Sequence, residues 1–224
     1  MNRVVIKLSG SVFSENATKT PLQKYATMLK SISKKLQLVV VAGGGHIARH
    51  YINLARSFGV DEATLDELGI EVSRLNAQLL VYALGKLAHP HIPKNLQEVV
   101  AAVGTGKIVV TGGLHPGQST NATSAQIAEK IKARMFINAT DVDGIYDADP
   151  KIHKDAKLLK MIKLHALRNM LVHESTMAGA YELMDIVALK VIERSKIPTR
   201  VIKADVNTIK RVVNGADVGT KIIT

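Results

Sequence analysis

Three short apolar runs of the sequence end in glycine, and each of these junctions could bind phosphate. Glycine lets a ligand approach the backbone, and a helix that begins there adds unpaired N–H groups and a partial positive charge. Because parallel strands end at one edge of a sheet, the junctions together predict a broad phosphate cradle. Any single junction could instead be a tight turn. The junctions contain Ser9, Gly10 and Ser11, then Gly43, Gly44 and Gly45, then Gly112 and Gly113.

Arg49 favours the phosphate interpretation of the second junction. It lies one helical turn beyond Gly45, where its planar guanidinium can bind a phosphate through two hydrogen bonds. The alternative is a solvated residue on a helix surface. Other nucleotide motifs are absent, because Lys107 is followed by Ile108 rather than by the Ser or Thr of a P-loop, and no G-x-G-x-x-G occurs.

No metal site is predicted from the sequence. His89 and His91 flank Pro90 without a third ligand nearby, and the chain has no cysteine. The segment DVDGIYDADP differs from a calcium loop, because Gly144 comes two positions early and no glutamate closes the loop.

The elements that must position these residues are short β-branched runs alternating with longer helical patterns. Strands covered on both faces are continuously apolar, and strands alternating with helices form parallel βαβ units. We therefore expect one α/β domain with a mostly parallel sheet. Strands are predicted at 4–8, 37–42, 107–111, 134–139 and 199–204. Helices are predicted at 22–35, 46–58, 65–84, 121–132 and 177–194, the last with Ser175 or Thr176 as its cap.

The segment 141–163 is rich in turn formers and predicts an ordered loop or hairpin over the sheet edge. Lysines recur there every three residues, a pattern that is usually a solvated surface. The alternative is a nucleic-acid patch, since the formal net charge of the chain is +11. Aromatic residues make up only 4% of the chain, so stacking platforms for single strands are scarce and we expect no nucleic-acid partner. The lysines are Lys151, Lys154, Lys157, Lys160 and Lys163.

The length of 224 residues and the hydrophobic content of 46% are sufficient for a globular core. The first apolar run is too short for a secretory signal and is interrupted by Lys7. No stretch approaches the ~20 apolar residues of a membrane span. A cytoplasmic protein without a membrane partner is therefore expected.

Four motifs, in their order and spacing, resemble the amino acid kinase family: KLSGS (7–11), AGGGHIAR (42–49), TGGLHPGQST (111–120) and NATDVDGIYDADP (138–150). Within the family, LDELGIEVSRLNAQLL (65–80) and KVIERSKIPTRVI (190–202) are similar to the archaeal uridylate kinases. The resemblance covers nearly the whole chain. It implies a three-layer αβα sandwich with a mainly parallel central sheet, in which residues 1–224 form one domain. The acceptor half is about 1–137 and the ATP half about 138–224.

The activity implied by the resemblance is transfer of the ATP γ-phosphoryl group to UMP, with Mg²⁺ arriving as MgATP and a hexamer built as a trimer of dimers. Lys7 would stabilise the charge of the transferring group, and Asp143 would orient Lys7 or a metal. Asp66 is assigned to the ribose, because a carboxylate can accept hydrogen bonds from two vicinal hydroxyls; the alternative is a helix cap. The implied ATP side is Ser9, Gly10, Ser11, Gly45, Arg49, Thr140, Tyr146 and Asp149. The implied UMP side is Gly44, Asp66, Leu114, His115, Pro116, Gly117, Gln118, Ser119 and Thr120.

Three positions depart from the family pattern. Ser9 replaces the first glycine of the common GGS opening, Asn121 stands where many relatives have aspartate, and Asp141 stands where relatives often have asparagine or lysine. Two alternatives therefore stay open beside the UMP kinase hypothesis. One is a sister kinase acting on carbamate, acetylglutamate or isopentenyl phosphate, and the other is a non-catalytic nucleotide sensor.

Overall fold

A computed structural model describes residues 2–14, 19–148, 150, 152–174 and 184–224. The strands in these ranges are β1 (Arg3–Leu8), β2 (Gln37–Ala42), β3 (Val109–Thr111), β4 (Met135–Thr140), β5 (Met161–Lys163), β6 (Thr199–Lys203) and β7 (Thr220–Ile223). They form one sheet in the order β3-β2-β1-β4-β6-β7-β5. Among the described strand pairs, β6 with β7 is antiparallel and the others are parallel.

Helices cover both faces of this sheet. They are α1 (Lys19–Ser33), α2 (Gly45–Ser57), α3 (Glu62–Leu84), α4 (Leu96–Gly104), α5 (Thr120–Lys130), α6 (Leu164–Glu174), α7 (Ile186–Ser195) and α8 (Val206–Val213). One core cluster lies between the sheet and α4, α5, α6 and α7, and the other lies between the sheet and α1, α3 and α8. The structure is therefore the expected three-layer αβα sandwich with a mainly parallel sheet.

Strand β1 shows why the apolar runs form the centre of the sheet. Successive side chains of a strand point to opposite faces. Val4 and Ile6 accordingly pack in the cluster with α1, α3 and α8, whereas Val5 packs in the cluster with α4 to α7. All three are completely buried. A strand covered on both faces must be apolar at nearly every position, and this requirement explains its unbroken run.

The five predicted strands are present, and the structure adds β5 and β7. Helices α4, α6 and α8 are further additions. The predicted start of the helix at 177–194 is wrong, because Met184 and Asp185 are not helical and Asp185 caps α7 by accepting a hydrogen bond from the backbone N–H of Ala188. Ser175 and Thr176 lie outside the described residues.

The segment after β4 forms the predicted hairpin-like excursion. Tyr146 and Leu158 make an isolated antiparallel bridge, and Asp147 donates its backbone N–H to the carbonyl of Lys157. Lys154, Lys157, Lys160 and Lys163 are exposed, as a solvated surface requires, and Lys151 lies outside the described residues. No helix in the described ranges is both long and apolar enough to cross a membrane.

Candidate phosphoryl-transfer site

The first two glycine junctions touch each other at the carboxyl edge of β1 and β2. Gly43 donates its N–H to the carbonyl of Leu8 at 3.0 Å. A Cβ placed on Gly10 would lie 2.1 Å from the nitrogen of Gly45, whose φ of +67° is itself suited to glycine. Helix α2 begins at Gly45, so its unpaired N–H groups lie at this contact. The first and second junctions thus bring together backbone segments that carry no side chain, as the phosphate-cradle hypothesis predicts.

Helix α3 ties the third junction to the second. The amide of Asn76 donates to the carbonyl of Gly43 at 2.8 Å, and the Ser73 hydroxyl accepts the N–H of Gly113 at 2.8 Å. A Cβ on Gly112 would lie 2.4 Å from the Ser73 oxygen, so helix and loop are in direct contact. All three junctions therefore meet at one edge of the sheet.

Sequence reasoning missed Ser73 and Asn76. Both are buried polar side chains on a helix that packs an otherwise apolar face against the core. Their positions, seven and ten residues after Asp66, place them along the same side of the helix. The spacing from Asp66 was the signal in the sequence that could have identified them as site residues. A polar residue buried on that side of the helix must find a hydrogen-bond partner there.

Asp66 reaches across from α3 to the loop that follows the third junction. Its Oδ2 accepts the backbone N–H of Gly117 at 2.6 Å. The capping alternative for Asp66 is wrong, because Asp61 caps α3 by accepting the N–H of Thr64. Hydrogen bonds from the Thr64 side chain and backbone hold the pKa of Asp61 below its ordinary value. Asp66 is thereby left on the open surface beside the glycine junctions.

An open cleft joins these features. It lies between α2, α3 and the start of α5, and it brings residues assigned to ATP beside residues assigned to UMP. The predicted residues that line it are Gly44, Gly45, Arg49, Asp66, Gln118 and Thr120, together with Gly113 of the third junction. Arg49 is exposed there, so its charge is available to an anionic ligand.

The loop from Leu114 to Thr120 contributes unequally to the cleft. The side chain of Leu114 is buried in the core, so only its backbone can face a ligand. His115, Pro116 and Gly117 are exposed. Ser119 caps α5 by accepting the N–H groups of Asn121 and Ala122, and its hydroxyl donates to Asp185 at the start of α7. Asp185, which the sequence analysis did not single out, therefore links this loop to the C-terminal part of the chain.

Lys7 and the Ser9 turn lie at the end of β1. Lys7 is half-buried and sits between Val41 and Asn138 of the two neighbouring strands. Ser9 donates its N–H to Ala139, and its hydroxyl accepts the N–H of Ser11 at the start of a short 3-10 turn. Both residues therefore lie on the edge that carries the glycine junctions.

The residues predicted for the far side of the site begin at Thr140, the last residue of β4. Thr140 is buried and donates its hydroxyl to Asp141. The Tyr146 hydroxyl donates to Oδ2 of Asp143 at 3.3 Å, and Oδ1 of Asp143 lies 3.8 Å from Nζ of Lys203. Partial burial and the neighbouring Asp143 raise the pKa of Tyr146. Asp149 lies outside the described residues.

In the part of the chain that the structure describes, no three His, Asp or Glu side chains are grouped closely enough to hold a metal ion. The ligand-binding capacity of this edge comes instead from backbone N–H groups, Lys7 and Arg49. Such an arrangement is typical of α/β proteins that bind phosphate groups at the carboxyl edge of a parallel sheet.

The sequence and the fold place the chain within this class. A sequence model described as the Amino acid kinase family matches residues 2–203, and the chain belongs to that family.

Relatives of similar length agree with this assignment. A uridylate kinase of Methanobrevibacter smithii is 41% identical over 223 residues, which cover 99% of both chains. A uridylate kinase of Hyperthermus butylicus is 46% identical, covering 98% of this chain and 97% of the other. The crystal structure of uridylate kinase from Archaeoglobus fulgidus superimposes with a TM-score of 0.88 at 40% identity, covering 99% of this chain and all of the other.

Proposed function

We propose that this chain transfers the γ-phosphoryl group of ATP to UMP, giving ADP and UDP. The observation that carries the proposal is that three features lie at one edge of the sheet. They are the contact between Gly10 and Gly45, the hydrogen bond between Asp66 and Gly117, and Lys7. Uridylate kinases are among the relatives that match over almost the full chain. Phosphoryl transfer demands positioning and charge neutralisation more than covalent chemistry, and this edge offers both.

The proposed roles follow the geometry of the edge. Lys7 stabilises the charge that develops on the transferring group. The turn of residues 9–11 binds donor phosphates through the backbone N–H of Gly10, because the N–H groups of Ser9 and Ser11 already donate within the fold. Arg49 lies in the cleft where the two phosphates approach each other. We assign the acceptor to the half of about 1–137 and ATP, apart from the phosphates bound by residues 9–11, to the half of about 138–224. Thr140, Tyr146 and Asp149 are the residues proposed for the adenine nucleotide. Mg²⁺ bound with ATP would be held largely by phosphate oxygens and water, and would supply neutralisation of the phosphate charge.

A panel of acceptors tests this function directly. The purified chain is incubated with MgATP and with UMP, CMP, AMP, carbamate, acetylglutamate or isopentenyl phosphate, and ADP release is measured. Turnover with UMP far above the others is the expected result. Turnover confined to a non-nucleotide acceptor would indicate a sister kinase. Tight binding of both nucleotides without turnover would indicate a sensor.

Replacing Asp66 tests the acceptor side on its own. We expect Asp66→Ala to raise KM for UMP about tenfold to a hundredfold, because a hydrogen bond to a charged group contributes about 1.5–3 kcal/mol. KM for ATP should change less than twofold. Glu67→Ala, on the adjacent residue of the same helix, is the matched control. Equal increases in both KM values would contradict a specific role of Asp66 in binding UMP.

We also propose that α3 carries the contact between two copies of this chain. Leu75, Leu79 and Tyr82 recur at helical spacing on α3 and are 67%, 50% and 72% exposed. Contiguous exposed apolar side chains are typical of protein interfaces. The family resemblance extends the proposal to a hexamer built from such dimers.

Light scattering tests the assembly. The wild-type chain should have up to six times the monomer mass of 24.2 kDa, and Leu79→Glu should shift it to smaller species because a charge in an apolar contact loses its hydration. Ile152→Glu, at an exposed apolar residue of the hairpin segment, should leave the mass unchanged. A wild-type monomer at every concentration would refute the contact.

A further inference from the structure

Lys203 occupies a position that neither the motifs nor the proposed roles use. It is the last residue of β6, paired in register with Thr140 of β4, so it lies at the same carboxyl edge as Lys7. Val5 and Val201 pack in the same core cluster, and side chains two residues apart share a face. Lys7 and Lys203 therefore project from one face of the sheet, with β4 between their strands.

The ammonium group of Lys203 lies near the carboxylate groups of Asp143 and Asp205 in this structure. Its Nζ is 3.8 Å from Oδ1 of Asp143, and the two side chains are 55% and 58% exposed. Burial raises the pKa of Asp205, but hydrogen bonds from Thr208 and Asn207, together with the charge of Lys203, bring it below its ordinary value. Lys203 thus sits at the edge as a cation whose long, solvated ion pair with Asp143 is easily exchanged for another anion.

We propose that Lys203 binds the phosphate tail of the donor nucleotide, exchanging Asp143 for a phosphate oxygen when ATP enters. The inference rests on the proposed kinase function and extends it with a residue for the donor side. A lysine ammonium is a compact point charge with three rotatable donors, which suits phosphate oxygens better than a base. The Tyr146–Asp143–Lys203 chain of contacts also places this cation next to a residue assigned to the adenine nucleotide.

Calorimetric titration with ADP and with adenosine separates phosphate contacts from base contacts. We expect Lys203→Met to weaken ADP binding about tenfold while adenosine binding changes less than twofold, as the loss of one charge-assisted hydrogen bond predicts. In kinetics, KM for ATP should rise by a similar factor with KM for UMP unchanged. Lys203→Arg should retain most of the ADP affinity. Lys221→Met, at an exposed lysine of β7, is the control that should bind ADP normally.

Two results would overturn the assignment. One is ADP affinity in Lys203→Met equal to wild type, with thermal melting confirming that the variant is folded. The other is restoration of ADP binding by adding Asp143→Asn to Lys203→Met, which would show that Lys203 only neutralises Asp143. Because ADP binding is measured without an acceptor, these outcomes are independent of whether UMP is the substrate.

Discussion

We expect Lys7→Ala to lower kcat for UMP phosphorylation by about a thousandfold while leaving the chain folded. The side chain is half-buried at the end of β1, between Val41 and Asn138, on the edge where the glycine junctions meet. A fixed cation in such a site stabilises charge that develops during transfer, and removal of one preorganised donor typically lowers kcat by about 10²–10³-fold. Steady-state kinetics at saturating ATP and UMP measure the effect.

The control for this variant is Lys34→Ala, which removes an exposed lysine in the turn after α1. It should retain wild-type kcat, because it changes net charge equally without touching the edge. A Lys7→Ala enzyme within threefold of wild type would show that the transferring group is stabilised by other residues, and the proposed role of Lys7 would then be wrong.

Gly10→Ala should damage both stability and activity. The added Cβ would lie 2.1 Å from the nitrogen and 2.2 Å from the Cα of Gly45, and backbone on both sides cannot move aside as a flexible side chain could. Overpacking of this kind costs about 1–3 kcal/mol, and we expect the upper end of that range. Urea denaturation measures the free energy of unfolding. The displaced loops should also lower kcat/KM for ATP at least tenfold.

Gly104→Ala is the matched substitution for this comparison. Gly104 is the last residue of α4, and a Cβ there would meet nothing within 4 Å. Alanine should be neutral or slightly stabilising, because it restricts the unfolded chain without clashing in the folded one. If Gly10→Ala unfolds at the same urea concentration as Gly104→Ala, the contact between the two junctions is looser than the structure indicates.

The sheet and its glycine edge were predictable because their signals are local. Continuous apolar runs located β1, β2 and β4 to within one residue at either end. Strand β5 has three residues and only its middle one is buried, so it carries too little pattern to be recognised. The start of α7 was missed because several residues could serve as caps, and only the fold selects Asp185.

The candidate site was predictable in its parts but not in its connections. Asp66 lies beside the loop of Gly117, and its assignment to the acceptor stays a prediction. The contacts of Asn76 with Gly43, of Ser73 with Gly113 and of Ser119 with Asp185 join residues 33, 40 and 66 positions apart. Pairings over such separations depend on strand order and helix packing, which no short motif encodes.

The direct contact between Gly10 and Gly45 has a consequence for how the phosphate cradle behaves in solution. Its donors are main-chain amides, which do not titrate in the physiological range and have no rotamers to freeze when a ligand arrives. If the proposed cradle binds phosphate, we therefore expect it to do so equally well in mildly acidic and mildly alkaline media, with any pH dependence of the reaction coming from the substrates and the side chains around it. The same contact means that almost no other residue can replace Gly10 or Gly45, since the Cβ atom of any other residue would clash with the neighbouring loop.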